Sequence, residues 1–332
     1  MTAGTTATAA FDLHAHVVLD AAFETAGKYG PFHGDDEAGR EYFQVGDYTM
    51  KPIPYRDSVF MNVDMRLEAM AASGIDRQLL SPNPLTFFGR IEAGPAADFA
   101  RATNDAMAKL VTDHPELYGS AALPLQDPEA ATEELHRAVT ELGLVAGYVG
   151  TDYDFTLDDA RLDPLYEMAT SLDVPLFVHG VTNDGRGAAP DSRLHRFGLD
   201  LIVGYTYEET LAAAALVLGG VFDRHPQLDV CISHGGGAIV FLAQRFDSMA
   251  AFRRSRTGQP DDGTTFADSL SKLWFDAHLE PGPARDLVVD TVGLDRMVFG
   301  TNFGGWDTPA HADDFDRSLT SNAECLLRLE ES

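Results

Sequence analysis

Eight short apolar runs recur along the chain, and stretches with helical periodicity separate them. This alternation is typical of repeated βα units. Nearly continuous apolar runs, such as Leu176 to Val178, suit parallel strands that are buried on both faces. The predicted strands are Phe11–His16, Arg77–Pro82, Tyr118–Pro124, Val145–Gly150, Pro175–Gly180, Val230–Gly235, Leu273–His278 and Met297–Asn302.

The alternation predicts an α/β fold, a closed (β/α)8 or TIM barrel, which takes ~250 residues plus insertions. Helix signals between the strands agree with this fold. Asp127 and Pro128 are typical of a helix start, and Gly143 lies where the residue after a helix end is expected. A doubly wound open sheet is the alternative, but no glycine-rich phosphate loop follows the first strand.

We expect one domain over residues 11–332, preceded by a disordered lead-in over residues 1–10. Two insertions interrupt the alternation, at about 19–55 and 181–206. Both follow predicted strand ends, where barrel enzymes build their active sites. The first insertion is rich in Tyr and Phe, which fits a substrate with a hydrophobic ring.

The charge of the chain excludes two classes of partner. Asp and Glu outnumber Lys and Arg by 52 to 24, a formal net charge of −28. Such a surface repels nucleic acid and anionic membranes, so neither is expected to bind. A carboxylate substrate would need arginines within its site to overcome the same repulsion. The acidic residues are spread along the chain, which favours a solubility role.

The sequence also predicts a cytoplasmic location. No run approaches the ~18–20 apolar residues that a membrane span requires. Residues Met1 to Ala10 lack the basic and apolar regions of a signal peptide. The two cysteines, Cys231 and Cys325, offer no disulfide framework.

Four of the 11 histidines lie at the ends of the first, fifth and sixth predicted strands. In a strand, residues i and i+2 point to the same side, so His14 and His16 can reach inward together. His179 ends the fifth strand and His234 the sixth. A core histidine bonded to backbone is the alternative for each one alone. Four at equivalent barrel positions instead favour a transition-metal site.

The motifs around these histidines resemble a known group. Asp12-x-His14-x-His16, His179 and the segment from Leu218 to Gly237 are similar to the amidohydrolase superfamily. The nearest branch is that of 2-amino-3-carboxymuconate-6-semialdehyde decarboxylase and related aromatic-acid decarboxylases. The resemblance implies a distorted TIM barrel with one divalent metal, zinc in first place and manganese in second. It implies that His14, His16 and His179 ligate the metal and that His234 is the acid/base group.

The chain departs from that family at the last ligand, an aspartate that ends strand eight. Asn302 occupies its position, and an amide binds only through its neutral oxygen. Asp307 is either a replacement ligand or acid, or a surface cap, which we favour. Asp12 and Asp276 are candidates for orienting a ligating histidine. A lost metal site is the remaining alternative.

The resemblance also implies two arginines that hold substrate carboxylate. Arg56 lies in the segment after strand one, and Arg245 in the helix after strand six, from which it would reach a neighbouring subunit's site. The guanidinium fork pairs with a carboxylate through two hydrogen bonds. A homodimer or higher homo-oligomer would follow. A solvated face over Gln244–Arg256 is the alternative, and Trp306 is a weaker candidate for the pocket wall.

We therefore expect a carboxy-lyase that catalyses non-oxidative decarboxylation of a small aromatic or unsaturated carboxylic acid. The metal would orient the substrate or a bound water, and His234 would move the proton. Two alternatives stay open. One is metal-dependent hydrolysis or hydration of an amide, lactone or activated double bond, and the other is a metal-free binding protein on the same fold.

Overall fold

The computed structural model describes residues 9–183, 191–257, 263–305, 307–309 and 311–329. Most of the predicted lead-in, residues 184–190 of the second insertion, and Trp306 lie outside the described residues. The predictions made for them are therefore not addressed by the structure.

Eight parallel strands form one sheet that bends into a barrel. The sheet order is β1-β5-β6-β7-β8-β9-β10-β11, so neighbours in the barrel follow one another along the chain. The strands of the described chain are β1 (Phe11–Val17), β2 (Phe32–Asp35), β3 (Glu41–Val45), β4 (Tyr48–Met50), β5 (Arg77–Pro82), β6 (Leu117–Ala122), β7 (Ala146–Gly150), β8 (Leu176–His179), β9 (Val230–Ile232), β10 (Trp274–Asp276) and β11 (Met297–Val298). The predicted (β/α)8 fold is confirmed.

The last strand returns to the first and closes the barrel. The backbone N–H of Leu13 donates to the carbonyl of Phe299 at 2.8 Å, and that of Phe303 donates to the carbonyl of His14 at 3.1 Å. An isolated parallel bridge joins Ala15 to Phe303. The segment that carries Asn302 is therefore placed beside the two histidines of β1.

Helices lie between the strands, as the periodicity predicts. They are α1 (Val63–Ser73), α2 (Ala93–Asp113), α3 (Pro128–Thr140), α4 (Asp163–Leu172), α5 (Tyr205–Leu218), α6 (Val221–Arg224), α7 (Ile239–Thr257), α8 (Phe266–Leu270), α9 (Pro283–Val292), α10 (Asp314–Ser318) and α11 (Thr320–Leu326). The predicted start of α3 is confirmed, because the Asp127 side chain accepts from Ala130 N at 3.2 Å. A layer of apolar side chains between helices and strands forms the main core, in which Leu135, Leu216 and Ile232 are almost completely buried.

Residues Asp200–Leu218 form a helical run that is long and apolar enough to cross a membrane, by length and composition alone. A single run of this kind is weak grounds for a membrane span, because core helices of globular proteins share it. In the barrel this run carries Glu209, whose side chain is completely buried, towards β8. The run also exposes apolar side chains, which are Leu201, Ile202, Val203, Tyr207, Leu211 and Leu218.

The first predicted insertion folds into a small antiparallel sheet. Strand β3 pairs with β2 on one side and β4 on the other. Its aromatic side chains form a separate core, in which Phe43 packs edge-to-face on Tyr55 with ring centroids 5.2 Å apart. The sheet rests against the segment after β5, where Leu85 and Phe88 are buried. This packing makes the insertion one wall of the barrel mouth.

Candidate active site

A cavity of about 610 Å³ opens at the carboxyl ends of the barrel strands. Its size lies in the range of small-molecule sites. Most of the lining is apolar, and no lysine or arginine belongs to it among the described residues. The lining is formed by His16, Tyr48, Met50, Ile53, Tyr55, Phe60, Asn83, Pro84, Leu85, His179, Leu201, Ile202, Tyr205, Thr206, His234, Gly237, Ala238, His278, Leu279, Asn302, Gly304, Gly305 and Asp307.

Three buried imidazoles meet at the floor of this cavity. His14 and His16 project from β1 on the same side, and His179 ends β8. One ring nitrogen from each lies within 4.8 Å of the other two. Nε2 of His14 is 3.1 Å from Nε2 of His16. Two nitrogens that each bind one metal at about 2.1 Å are separated by roughly this distance.

The outer nitrogens of two of these rings are held by acceptors. His14 Nδ1 donates to Asp276 Oδ2 at 2.6 Å, and His179 Nδ1 donates to the carbonyl of Gly180 at 2.8 Å. The proton on Nδ1 leaves the lone pair on Nε2, which is the arrangement of metal-binding histidines. Asp276 was predicted as an orienting residue, and the contact with His14 agrees with that prediction.

Burial keeps these imidazoles neutral. It lowers the pKa of His14, and it lowers the pKa of His16 and His179 well below the ordinary value. Neutral imidazole is the form that binds a metal. With Nδ1 protonated, His14 Nε2 is an acceptor that faces another ring nitrogen. The donor set, its burial and its tautomers therefore fit a transition-metal ion.

Asn302 lies beside this cluster at a strained turn. Its φ is +51°, in the left-handed region that Asn tolerates better than most residues. Its Nδ2 donates to Asp307 Oδ1 at 2.8 Å. Asp307 lines the cavity, so our preference for a surface cap was wrong. The carboxylate acts as an acceptor that orients the Asn302 amide, because the turn after β11 folds back on itself.

His234 follows β9 in a turn that three glycines allow. Its own φ is +50°, and Gly235, Gly236 and Gly237 all have positive φ. A Cβ on Gly237 would lie 2.0 Å from the carbonyl oxygen of Thr206. The turn brings the His234 ring to 4.9 Å from the ring of His14 and to 5.0 Å from that of His179.

A buried carboxylate that the sequence analysis missed holds His234. Nδ1 of His234 donates to Glu209 Oε1 at 2.8 Å, and Glu209 also accepts from Gly180 N at 3.0 Å. Although burial alone lowers it, the charge of Glu209 raises the pKa of His234 to about 9. No strand-end signal marks Glu209, because it lies inside α5. The one signal in the sequence is that an acidic residue occupies a position on the side of α5 that faces the barrel.

His278 is the second residue that the sequence analysis missed. It follows β10, lines the cavity, and its ring is 5.7 Å from that of His14 and 5.3 Å from that of His234. The available signal was the pair Asp276 and His278, which repeats the i, i+2 spacing of His14 and His16. His278 thus lies at the carboxyl end of a barrel strand, as the other four histidines do.

The two predicted arginines lie away from the cavity in this single chain. The Arg56 guanidinium forms two hydrogen bonds with Asp35 of β2, at 3.1 and 3.0 Å, and is half-exposed. Arg245 lies on the exposed side of α7. The local hairpin captures Arg56 because it offers an acidic partner that spacing along the sequence does not reveal. Neither role is tested by the described residues.

Comparison with known proteins gives the following likenesses. The amidohydrolase family model matches residues 11–324. A gamma-resorcylate decarboxylase of Rhizobium sp. (strain MTP-10005) is 30% identical over 307 residues, which cover 87% of this chain and 88% of that protein. The 2-amino-3-carboxymuconate-6-semialdehyde decarboxylase of Dictyostelium discoideum is 29% identical over 254 residues, 74% of this chain and 68% of that protein.

A solved structure supports the fold. The dihydroxybenzoic acid decarboxylase of Polaromonas sp. JS666, with bound manganese and the inhibitor 2-nitroresorcinol, aligns with a TM-score of 0.76. The alignment covers 98% of each chain at 23% sequence identity. At this identity the likeness shows the same barrel and no more.

Proposed function

This chain belongs to the amidohydrolase family, and we propose that it is a metal-dependent, non-oxidative decarboxylase of a small aromatic carboxylic acid. The observation that carries the proposal is the convergence of three neutral histidines and the His234–Glu209 pair at one apolar cavity. The two relatives described above support it, because both are named as decarboxylases.

His14, His16 and His179 would hold the metal, with the Asn302 amide oxygen beside them. A bound divalent ion would supply a positive charge that orients the substrate and stabilises negative charge on its oxygens. We propose zinc first, because imidazole donors suit it. Manganese, which the Polaromonas enzyme holds, is the second candidate.

His234 would supply the proton for the reaction. Glu209 fixes Nδ1, so Nε2 is the nitrogen that can exchange a proton with a substrate. We propose that Nε2 protonates the ring carbon that carries the carboxylate. The C–C bond then breaks, its electron pair restores the aromatic ring, and CO₂ leaves. His234 recovers its proton from water.

The cavity wall would bind the ring of the substrate. Tyr48, Tyr55 and Leu85 line it, and the Tyr55 hydroxyl accepts from Asn83 Nδ2 at 3.0 Å. Tyr205 lies parallel to the His234 ring, at 6.4 Å between centroids and 6° between planes. Aromatic walls of this kind favour planar ligands. The apolar lining also favours the uncharged phenol that remains once the carboxylate has left.

We propose that the protein assembles as a homodimer through the outer faces of α5 and α7. These helices contact each other, and α7 exposes Phe241 by 75% and Phe252 by 55%. Apolar side chains exposed together mark an interaction surface. Arg245 lies on the same helix, and in a dimer it would approach the neighbouring site. Light scattering of wild type and Phe241→Asp tests this, and a monomeric wild type contradicts it.

We also propose that the protein works in the cytoplasm. Cys231 is buried, Cys325 is exposed, and neither forms a disulfide. Free thiols of this kind are usual where the cell keeps cysteines reduced.

The test is CO₂ release from hydroxybenzoic acids by metal-loaded protein, with the product identified by NMR. We expect turnover of a 2,6-dihydroxybenzoate-type substrate. Removal of the metal by a chelator, or His14→Ala with His16→Ala, should abolish it. Hydration or ring opening without CO₂ would favour the hydrolase or hydratase alternative. Binding without any chemistry would favour the binding protein.

A further inference from the structure

The cavity at the barrel mouth is larger than the ring of a dihydroxybenzoic acid requires. An apolar cavity of about 150 Å³ holds benzene, and the cavity here has about 610 Å³, roughly four times as much. A carboxylate and two hydroxyl groups add only a few non-hydrogen atoms to such a ring. Space therefore remains for a further substituent of the substrate.

The burial of the lining residues shows where this space lies. His179 at the floor is almost completely buried, whereas Leu201 and Ile202 of the second insertion are 40% and 53% exposed. Met50 and Ile53 of the first insertion are half-buried. All of these residues line the cavity. The outer part of the cavity therefore lies between apolar side chains of the two insertions.

The two insertions face each other across the mouth. Burial raises the pKa of Tyr48, and the charge of Asp200 raises it further, so Asp200 lies near the Tyr48 hydroxyl. Met50 lies two residues after Tyr48 in β4, and its side chain points to the same side. Leu201 and Ile202 follow Asp200 directly along the chain. The apolar side chains from both insertions thus surround the same space.

This outer part of the cavity suits an alkyl group better than a charged one. An alkyl group would remove the exposed surface of Leu201 and Ile202 from water, which is favourable. A second carboxylate would instead lie near Asp200, and none of the lining residues that the structure describes is a lysine or an arginine. A carboxylate buried there without a partner is unfavourable.

We propose that the substrate is a hydroxybenzoic acid that carries an alkyl chain, and that this chain lies between Met50, Ile53 and Ile202 at the mouth. The proposal rests on the proposed function and names the substrate class of the same site. The carboxylate would lie at the histidine floor, so the chain extends from the opposite edge of the ring.

Binding of the phenols that decarboxylation would release tests the proposal without turnover. The ligands are resorcinol and the 5-alkylresorcinols from methyl to pentyl, titrated into the protein in a calorimeter. We expect Kd to fall about 3-fold for each added carbon, because each CH₂ group leaves water. A chain of pentyl length that ends in a carboxylate should bind more weakly than pentylresorcinol. A Kd that does not depend on chain length overturns the proposal.

Two neighbouring variants separate the mouth of the cavity from general damage. Ile202→Ser changes a lining residue, and the matched control Val203→Ser changes a residue that is 45% exposed on the same segment but does not line the cavity. We expect Ile202→Ser to lose about 5-fold or more of the preference for pentylresorcinol over resorcinol, and Val203→Ser to keep it. Unchanged binding of resorcinol itself shows that both variants are folded. An equal preference in the two variants overturns the proposal.

Turnover by the metal-loaded protein distinguishes this proposal from the proposed function. We expect kcat/KM for 2,6-dihydroxy-4-pentylbenzoate to exceed that for 2,6-dihydroxybenzoate by about 10-fold or more. An equal or lower value overturns the alkyl chain and leaves the decarboxylase intact. No CO₂ from either acid overturns both.

Discussion

At the scale of single residues, a carboxylate behind an imidazole recurs around this site. Asp276 lies behind His14, and Glu209 behind His234. Each pair fixes which nitrogen carries the proton, and so decides what the other nitrogen can do. Although burial opposes it, the hydrogen bond from His14 holds the pKa of Asp276 well below its usual range. The Asp276 carboxylate therefore stays charged, whereas burial raises the pKa of Glu209.

Glu209→Gln tests the pairing with His234. The cationic form of His234 donates the proton, and with a pKa of about 9 it is populated at neutral pH and lost as pH rises through that value. A neutral partner removes the charge that raises this pKa. We expect kcat to fall about 10- to 100-fold with little change in KM, and the alkaline limb of the pH–rate profile to move to lower pH. An alkaline limb at the same pH in the variant would contradict the pairing.

Glu208, the neighbour of Glu209 along the chain, has a different effect on stability. Burial and, secondarily, Asp152 raise its pKa to about 7, above that of the unfolded chain. Its protonation therefore stabilises the fold at low pH, and this contribution is lost as pH rises through 7. We expect Glu208→Gln to be more stable than wild type at pH 8.5, by about 1 kcal/mol after allowance for its partial exposure, and equal to it near pH 4. Urea unfolding at the two pH values measures this, and an equal gain at both would refute it.

At the scale of elements, a buried hydrogen-bond network around Asp12, called the clasp below, joins the first strand to the segment after the last. Asp12 accepts from the backbone N–H and the hydroxyl of Thr301, at 3.0 and 2.7 Å, and from Gln78 Nε2 at 2.9 Å. Arg66 extends the network, because it donates to Gln78 Oε1 at 2.8 Å and to the carbonyl of His16. The backbone of both metal-site strands is thus set by polar contacts beneath the imidazoles.

Asp12→Ala should weaken both the fold and the metal site. The change leaves buried donors of Thr301 and Gln78 without an acceptor, which costs about 1–3 kcal/mol for each group. We expect an unfolding free energy lower by about 3 kcal/mol and a weaker zinc Kd, measured by urea unfolding and chelator competition. Thr301→Val is the matched control, since it removes only the hydroxyl bond. A larger loss in Thr301→Val than in Asp12→Ala would contradict the clasp.

Sequence alone was sufficient for elements whose signal is local. The eight strands were found because their apolar runs are nearly continuous, and the histidines at their ends followed from the i, i+2 rule. Two predicted strands run too far, because β9 ends at Ile232 and β11 at Val298. His234 and Asn302 lie in the turns that follow, where both have positive φ. Glu209 was not found, because an acid inside a helix acquires a role only when the helix packs. Arg56 shows the converse, since its Asp35 partner is set by hairpin geometry.

At the scale of the whole molecule, the net negative charge should slow the entry of an anionic substrate. The net charge of −28 repels a carboxylate, and the described lining of the cavity offers no lysine or arginine to offset it. Salt screens such repulsion, with a Debye length of about 10 Å at 0.1 M. We expect KM for an anionic substrate to fall as NaCl rises from about 0.02 to 0.3 M. Inhibition by the neutral phenol product is the control, and a KM that rises with salt would count against the idea.

The contact between the first and last barrel strands makes the site depend on residues from both ends of the chain. Thr301 and Asp12 are 289 residues apart, and the Asn302 segment docks beside His14 only when the last strand has emerged. A nascent chain on the ribosome carries the histidines long before it has that neighbour. Premature termination would yield a protein with most of its ligands and no finished pocket. The Asn302 side of the site is therefore complete only after the two ends of the barrel have paired.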